Sequence, residues 1–358
     1  MINVTQTFLP PIQEFEKILK RAWDKKWVTN RGELLLELES KLADYLKISN
    51  FFITTNGTLP IQIALKTLDV TKEVITTPFS YVATTSAIVW ENCKPVFVDI
   101  EKDSLTIDPT KIEAAITKNT QAILATHVFG NPCDVEAIEE IAKKYNLKVI
   151  YDAAHCFAVN YKGKSIFSYG DISTTSFHAT KLFHTGEGGA IFVPNNNLYK
   201  KCFYQHNFGH NGPLNFHGLG INAKASEMQA AVGLSVLPYM NKVIEKRKML
   251  TEQYENLLEN NKNITFLNFR ELTEKNYSYM PVIFKNEKLL DKTLEVLAEL
   301  KIYPRRYFYP SLNTLPYLKE QVNMPISEAI SSKILCLPLY YELEKQQVAK
   351  ICNIINTI

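Results

Sequence analysis

A chain of 358 residues is long for one hydrophobic core, so two domains in one subunit are expected. Hydrophobic residues make up 46% and charged residues 22%, and the net charge of +3 comes from dispersed lysines and arginines, which argues against nucleic acid or an anionic membrane as partner. The six cysteines (Cys93, Cys133, Cys156, Cys202, Cys336 and Cys352) show no C-x-x-C pair and no zinc-type spacing, so they read as reduced cytoplasmic thiols.

The opening Met1 to Gln6 lacks the basic start and apolar run of a signal peptide, and no apolar stretch is long enough to span a bilayer, so a cytoplasmic protein is expected. Pro10-Pro11 then introduces a helical pattern through Phe15, Ile18, Leu19, Ala22 and Trp23, which reads as an arm plus one helix within residues 1–30. A second helix is expected over Gly32–Leu46. From there apolar runs alternate with helices: strand 51–54, helix 59–68, strand 74–77, helix 81–90, strand 96–98, helix 109–116, strand 122–125, helix 135–145 and strand 149–151. Strands ending at Ser176 and running from Ala190 to Val193 complete the series. Strands apolar on both faces and separated by helices predict an α/β fold with a mainly parallel sheet covered on both sides. After Pro238 a polar helix (241–259) leads into a smaller α+β part, with a strand near 278–284 and a helix near 291–300; the boundary is placed at residue 240, giving domains 1–240 and 241–358.

Four short features fall at the C-terminal ends of predicted strands, where open α/β sheets gather ligands. Asn56-Gly57-Thr58 opens a helix and offers free N–H groups to a phosphate, or is a plain capped turn. Tyr81 stands at a strand-to-helix turn, where it serves either as core or as a plate for a flat heteroaromatic ring. Asp152 follows an apolar strand, as a helix cap or as the partner of a pyridinium nitrogen. Lys181 sits in a short loop among apolar, hydroxyl and imidazole groups, as a surface lysine or as a desolvated amine suited to a Schiff base. A phosphate seat, a stacking ring, an acid for a ring nitrogen and a nucleophilic amine together are what pyridoxal 5'-phosphate requires.

With these motifs in register the chain resembles the sugar aminotransferases of the DegT/DnrJ/EryC1/StrS family over nearly its whole length. The resemblance runs through Asn56-Gly57-Thr58, 78–84, Pro95-Val96-Phe97-Val98-Asp99, Asp152-Ala153-Ala154-His155, 176–181 and Glu187-Gly188-Gly189. It implies fold type I, with a mostly parallel seven-stranded sheet, a small C-terminal α+β domain, and a homodimer with active sites at the interface. By position it implies Lys181 as the Schiff-base lysine, Asp152 on the pyridine nitrogen, Tyr81 stacked on the ring and His155 near the ring hydroxyl. Gly57 and Thr58 would hold the phosphate by their N–H groups and Ser176 by its hydroxyl, and Asn222 would reach it from the other subunit. Many members have Asn-Tyr-Arg where this chain has Asn222-Ala223-Lys224, so a forked donor is replaced by a point charge.

The implied reaction is amination of a keto-sugar nucleotide with glutamate as donor. Lysine at position 181 favours amino transfer over the dehydration of relatives that carry histidine there. The segments 1–5, 27–30, 130–134 and 207–209 resemble members acting on dTDP-4-keto-6-deoxyglucose for O-antigen or similar surface sugars. His206, Asn207, His210, Lys224 and the run Tyr303-Pro304-Arg305-Arg306-Tyr307 are the candidates for nucleotide-sugar contacts, against the reading of a solvated or interface cluster. His127 and His178 stand as core histidines or catalysts, and no regular spacing joins them into a metal site. Two alternatives compete: a relative acting at C3 or on a UDP-sugar, and a sugar-nucleotide-binding regulator without turnover.

Overall fold

Strands that are apolar on both faces need cover on both sides, and the computed structural model, which describes all 358 residues, supplies it. Seven strands form the large sheet: β1 (Phe51–Thr54), β2 (Glu73–Thr76), β3 (Lys94–Phe97), β4 (Thr120–Thr126), β5 (Lys148–Asp152), β6 (Ile172–Ser176) and β7 (Gly189–Phe192). Their spatial order is β1-β7-β6-β5-β4-β2-β3, with β7 antiparallel to both neighbours and every other pairing parallel. This is the mostly parallel seven-stranded sheet that the alternating pattern predicts.

The pleat sends successive side chains to opposite faces. On β5, Val149 and Tyr151 join one core while Ile150 joins the other. The first core is closed by α1 (Ile12–Asp24) and α2 (Glu33–Leu46), the second by α3 (Leu59–Thr67) and α4 (Val82–Trp90). Further along, α5 (Val135–Tyr145) covers the first core, α6 (Asn196–Gln205) the second, and α7 (Glu227–Val236) the first again. The helix expected over 109–116 is a 3₁₀ turn, Pro109–Lys111, followed by a single turn at Ile112–Ala115. The sequence reading gave no element for 196–236, where α6 and α7 lie.

Helix α8 (Met240–Leu258) leaves the large core through Met240 and Val243 and enters a separate one through Leu250, Tyr254 and Leu258. That second core lies under the antiparallel strands β8 (Ile264–Phe266), β9 (Met280–Phe284) and β10 (Ile334–Leu337), in the order β8-β9-β10. It is completed by α9 (Glu287–Glu299) and, beyond α10 (Pro325–Ser331), by α11 (Lys345–Thr357). α9 starts a turn earlier than the expected 291 because Asn286 Oδ1 accepts the Leu289 N–H at 3.0 Å, a cap that ends the preceding strand. The strand expected from Ser278 begins at Met280, since residues 276–279 are drawn onto the large lobe. The amino-terminal arm ties the lobes together: Ile2–Asn3 pairs in parallel with Ile302–Tyr303, and Thr7 Oγ1 donates to the Ala179 carbonyl at 3.0 Å.

Two carboxylates bind segments far apart in sequence. α2 starts at Gly32, which has no side chain to cap it, and Glu227 from the start of α7 accepts the Leu34 and Leu35 N–H groups instead (2.7 and 3.2 Å). A Cβ on Gly32 would lie 2.6 Å from that carboxyl carbon, so any larger residue would have to displace the Glu227 carboxylate from its two N–H groups. Asp99, just after β3, accepts Ile326 N–H (2.8 Å), Ser327 N–H (2.9 Å) and Ser327 Oγ–H (2.6 Å), capping α10 of the small lobe from the large one. Three donors left in the interior without an acceptor make Asp99→Ala costly: a loss of roughly 2–3 kcal/mol in urea unfolding is expected. An unchanged midpoint would show that water replaces the carboxylate.

Candidate active site

The site forms because four strands of one sheet, β1, β2, β5 and β6, end at the same edge, with β7 and β4 between them, and each passes into a loop carrying one of the singled-out residues. A cavity of about 230 Å³ at these ends is lined by Gly57, Thr58, Tyr81, Asp152, His155, Ser176 and Lys181, seven of the eight residues proposed for the cofactor. Arg305, Tyr307 and Phe308 of the small lobe close it from the other side.

After β1, Asn56 Oδ1 accepts both Thr58 N–H and Leu59 N–H at 2.9 Å and so caps α3. This corrects one expectation: the Thr58 N–H is engaged by Asn56, while the Gly57 N–H beside it has no partner in the protein. A Cβ on Gly57 would come within 2.7 Å of Ser176 Cβ, and its absence lets the β1 turn press against the end of β6. The result is a cradle of small donors.

Asp152 ends β5 inside the protein. Thr84 Oγ1 of α4 donates to its Oδ2 at 2.6 Å and the Ala154 N–H to its Oδ1 at 3.1 Å. Burial nevertheless raises its pKa, against the opposing pull of these two bonds and of Lys181. His155 accepts the Phe129 N–H on Nδ1 at 2.9 Å, which fixes its proton on Nε2. Burial, and then Lys181, hold it well below the ordinary imidazole range, so it is a neutral donor. Phe129 adopts φ +55° to present that N–H, an uncommon conformation for a bulky side chain.

The Lys181 amine donates to Tyr279 Oη at 3.2 Å. Burial lowers its pKa, and Tyr307, Asp152 and Tyr81 only partly oppose this. No ion pair joins it to Asp152, although both groups line one cavity. Tyr81 stands at the start of α4, half exposed, with its ring 6.4 Å from that of Phe308. His178 also borders the cavity, its Nδ1 paired with Thr180 Oγ1 at 2.8 Å, while His127 is a core histidine stacked on Tyr151.

Several candidates fall elsewhere. His206 is buried against Phe52 and Phe203, with Nδ1 bonded to the Phe203 carbonyl, so it is core and not a sugar contact. Burial depresses its pKa to about 4. Arg306 is turned away from the cavity: it pairs with Glu287 at 2.7 Å and Asp291 at 3.5 Å, and lies over the Tyr309 ring. Asn207, Asn222 and Lys224 form a cluster of their own outside this cavity, Lys224 Nζ reaching the two amide oxygens at 2.8 and 2.9 Å. His210 packs on Phe216, and Tyr303 lies on the strand beside Asn3. Thr84, Tyr279 and Phe308 were missed; Thr84 lay in a quoted motif without a role, and Tyr279 carried no local signal.

The donor set fits the cofactor that the sequence implies. A buried carboxylate whose pKa is raised awaits a cationic partner, a glycine-floored cradle offers donors to an anion, and a depressed lysine amine lies between them. Fold and site together define a pyridoxal phosphate-dependent aminotransferase. The model of the DegT/DnrJ/EryC1/StrS aminotransferase family matches residues 12–356, and the chain belongs to that family. It is 40% identical to the dTDP-4-amino-4,6-dideoxy-D-glucose transaminase of Escherichia coli, covering 99% of this chain and 98% of that protein. The transaminase of the same name from Shigella dysenteriae is 41% identical, over 100% and 99%. A crystal structure of DesI with its TDP-sugar product superposes with a TM-score of 0.94 at 28% identity, covering 99% of this chain and 92% of that one.

The raised Asp152 pKa has a thermodynamic consequence in the cofactor-free protein. Between the unfolded value near 3.9 and the higher folded value, the native state binds more protons than the unfolded state, so stability falls as pH rises through that window. Asp152→Asn should therefore make the apoprotein more stable than wild type at pH 7, with the gap closing toward pH 4, while weakening pyridoxal phosphate binding. Thermal unfolding of the two apoproteins at both pH values checks this; a less stable variant at pH 7 would contradict it.

Proposed function

We propose that the chain transfers the amino group of L-glutamate to C4 of dTDP-4-keto-6-deoxy-D-glucose, giving dTDP-4-amino-4,6-dideoxy-D-glucose for an O-antigen or similar surface polysaccharide. The observation that carries this reading is the 40 and 41% identity, over essentially the whole chain, to two transaminases of that name. The cavity supports it in outline. At about 230 Å³ it is smaller than sites that enclose a drug-sized ligand, roughly 300–1,000 Å³, so the nucleotide half of the substrate would lie outside it.

Pyridoxal phosphate, when bound, supplies an electron sink that eases removal of a proton from the amino-bearing carbon. Asp152 would keep the ring nitrogen protonated through a charge-assisted hydrogen bond, regaining its own charge in doing so. Gly57 N–H, Thr58 Oγ1 and Ser176 Oγ would hold the phosphate, Tyr81 would lie on the ring face, and His155 Nε2–H would donate to the ring oxygen. Lys181, its basicity lowered by burial, would take the proton from the substrate carbon and return it on the other side of the reaction. Arg305, with no carboxylate within 4 Å, would meet an anionic group of the donor or of the sugar nucleotide, and Tyr307 would border the sugar.

A homodimer completes this reading. Asn222 lies outside the cavity of its own subunit, on a loop that exposes Phe208, Leu214, Phe216 and Leu219. Such an apolar surface suits burial against a second copy, with Asn222 and Lys224 meeting the phosphate in the partner's cavity. A cytoplasmic enzyme fits as well: no helix is long and apolar enough to cross a membrane, and all six cysteines are free and buried.

Mass spectrometry of the product from dTDP-4-keto-6-deoxyglucose and glutamate tests substrate and reaction together. A mass matching the amino sugar with an amine at C4 is expected; amination of only a 3-keto or UDP-linked sugar would overturn the substrate assignment. Lys181→Ala should stay folded, lose the visible absorbance of the bound cofactor and turn over about 10²–10⁴-fold more slowly. Full turnover in that variant would remove the lysine from the mechanism.

A further inference from the structure

Segment 276–279 comes from the small lobe but is held by the large one. Asn276 Nδ2 donates to the carbonyls of His155 (2.9 Å) and Phe157 (2.8 Å). Arg247, buried on α8, donates to the Ser278 carbonyl at 3.0 Å from behind. Between these anchors Tyr279 lies against residues of the catalytic cavity, its ring 4.5 Å from that of His155 and 5.6 Å from that of Phe129. Its hydroxyl is the one hydrogen-bond partner of the Lys181 amine.

That amine would have two positions during the proposed reaction. In the resting enzyme its nitrogen would be held by the cofactor, and while it carries a proton it would be free and need a seat. Asp152 does not provide one, being occupied by Thr84 and Ala154. A carboxylate would also be a poor seat, since an adjacent negative charge holds the proton on the amine and blunts it as a base. A phenol oxygen accepts a hydrogen bond without bringing a charge. Burial keeps Tyr279 protonated by pushing its pKa well above the ordinary range.

We infer that Tyr279 is a positioning residue, the seat on which the small lobe holds the released Lys181 amine between its two proton transfers. The inference rests on the reading of Lys181 as proton carrier. It also links the two lobes, because the seat precedes β9 of the small lobe while the lysine stands on the loop after β6 of the large one. The ionisable groups facing the amine are Asp152 from β5, His155 and Cys156 from the turn after it, Tyr81 from the start of α4, and Tyr279 and Tyr307 from the small lobe.

Tyr279→Phe keeps the ring packing and removes only the oxygen, and thermal unfolding checks that it folds. Three readouts follow. The half-reaction with glutamate, followed by the visible absorbance, should slow about tenfold with little change in KM. The pH titration of the resting holoenzyme spectrum should stay as in wild type, because the amine is then on the cofactor. In the apoprotein, competitive labelling of amines read by mass spectrometry should show Lys181 titrating at lower pH in the variant, since the ammonium has lost an acceptor. A wild-type half-reaction rate, or an unchanged apoprotein titration, would overturn the seat. A shifted resting spectrum would overturn it too, by placing the hydroxyl on the cofactor. Lys181→Ala separates the levels: if it is inactive while Tyr279→Phe behaves as wild type, this inference fails alone, whereas full activity in Lys181→Ala removes the reading beneath it.

Discussion

A carboxylate and an amine line one small cavity without touching, and the site depends on their separation. In a medium of low dielectric the two would attract strongly and pairing would be the default. Here each has another partner: Thr84 and the Ala154 amide hold Asp152, and Tyr279 holds Lys181. The consequence is a raised acid and a depressed base facing one volume. A collapsed salt bridge would leave no room for a cationic ring nitrogen against the acid or a nucleophilic amine opposite it. Both groups are costly to bury alone, so the fold stores in them free energy that a suitable ligand can recover.

The separation is kept by two lobes acting from opposite sides. The large sheet fixes Asp152 and Ser176 by the hydrogen-bond register of β5 and β6, so their positions vary only with the sheet. The small lobe contributes Tyr279, Tyr307 and Phe308, which pack in an apolar cluster shared with Phe79, Val128 and Phe129 of the large lobe. Three ties hold it in place: the arm strand at Ile2–Asn3, the Asp99 cap on α10, and Asn276 on the carbonyls around His155. These polar ties run beside an apolar contact in which Ile100 and Leu105 of the large lobe share one cluster with Leu267, Ile330 and Cys336 of the small one.

Much of this was legible in the chain. The alternating apolar runs predicted the large sheet because strands buried on both faces leave few polar residues, as β1 and β7 do. Gly57, Asp152, Ser176 and Lys181 could be singled out because each lies at the end of a strand or within five residues of it, so local order placed them at one edge. The same reasoning failed for His206 and Arg306. A histidine or arginine beside a plausible motif looks alike whether it faces a ligand or a neighbour, and here Phe52 and Glu287 are the neighbours. Thr58 failed more narrowly, since nothing in Asn-Gly-Thr says that the asparagine side chain passes over the glycine amide and claims the threonine one.

By itself, then, the order of residues determined the sheet, the type of cofactor and the loops that meet it, because those follow from local periodicity and from motifs within a few residues. Tertiary structure alone decided which oxygen faces the Lys181 amine, which tautomer His155 keeps, and which arginine is free. Those outcomes turn on partners far away along the chain, Tyr279 for Lys181 and Phe129 for His155, and on the salt bridges that take Arg306 and spare Arg305. No spacing rule encodes them, since the distances that matter are set only when each lobe has folded and, for Lys181 and Tyr279, when the two lobes meet.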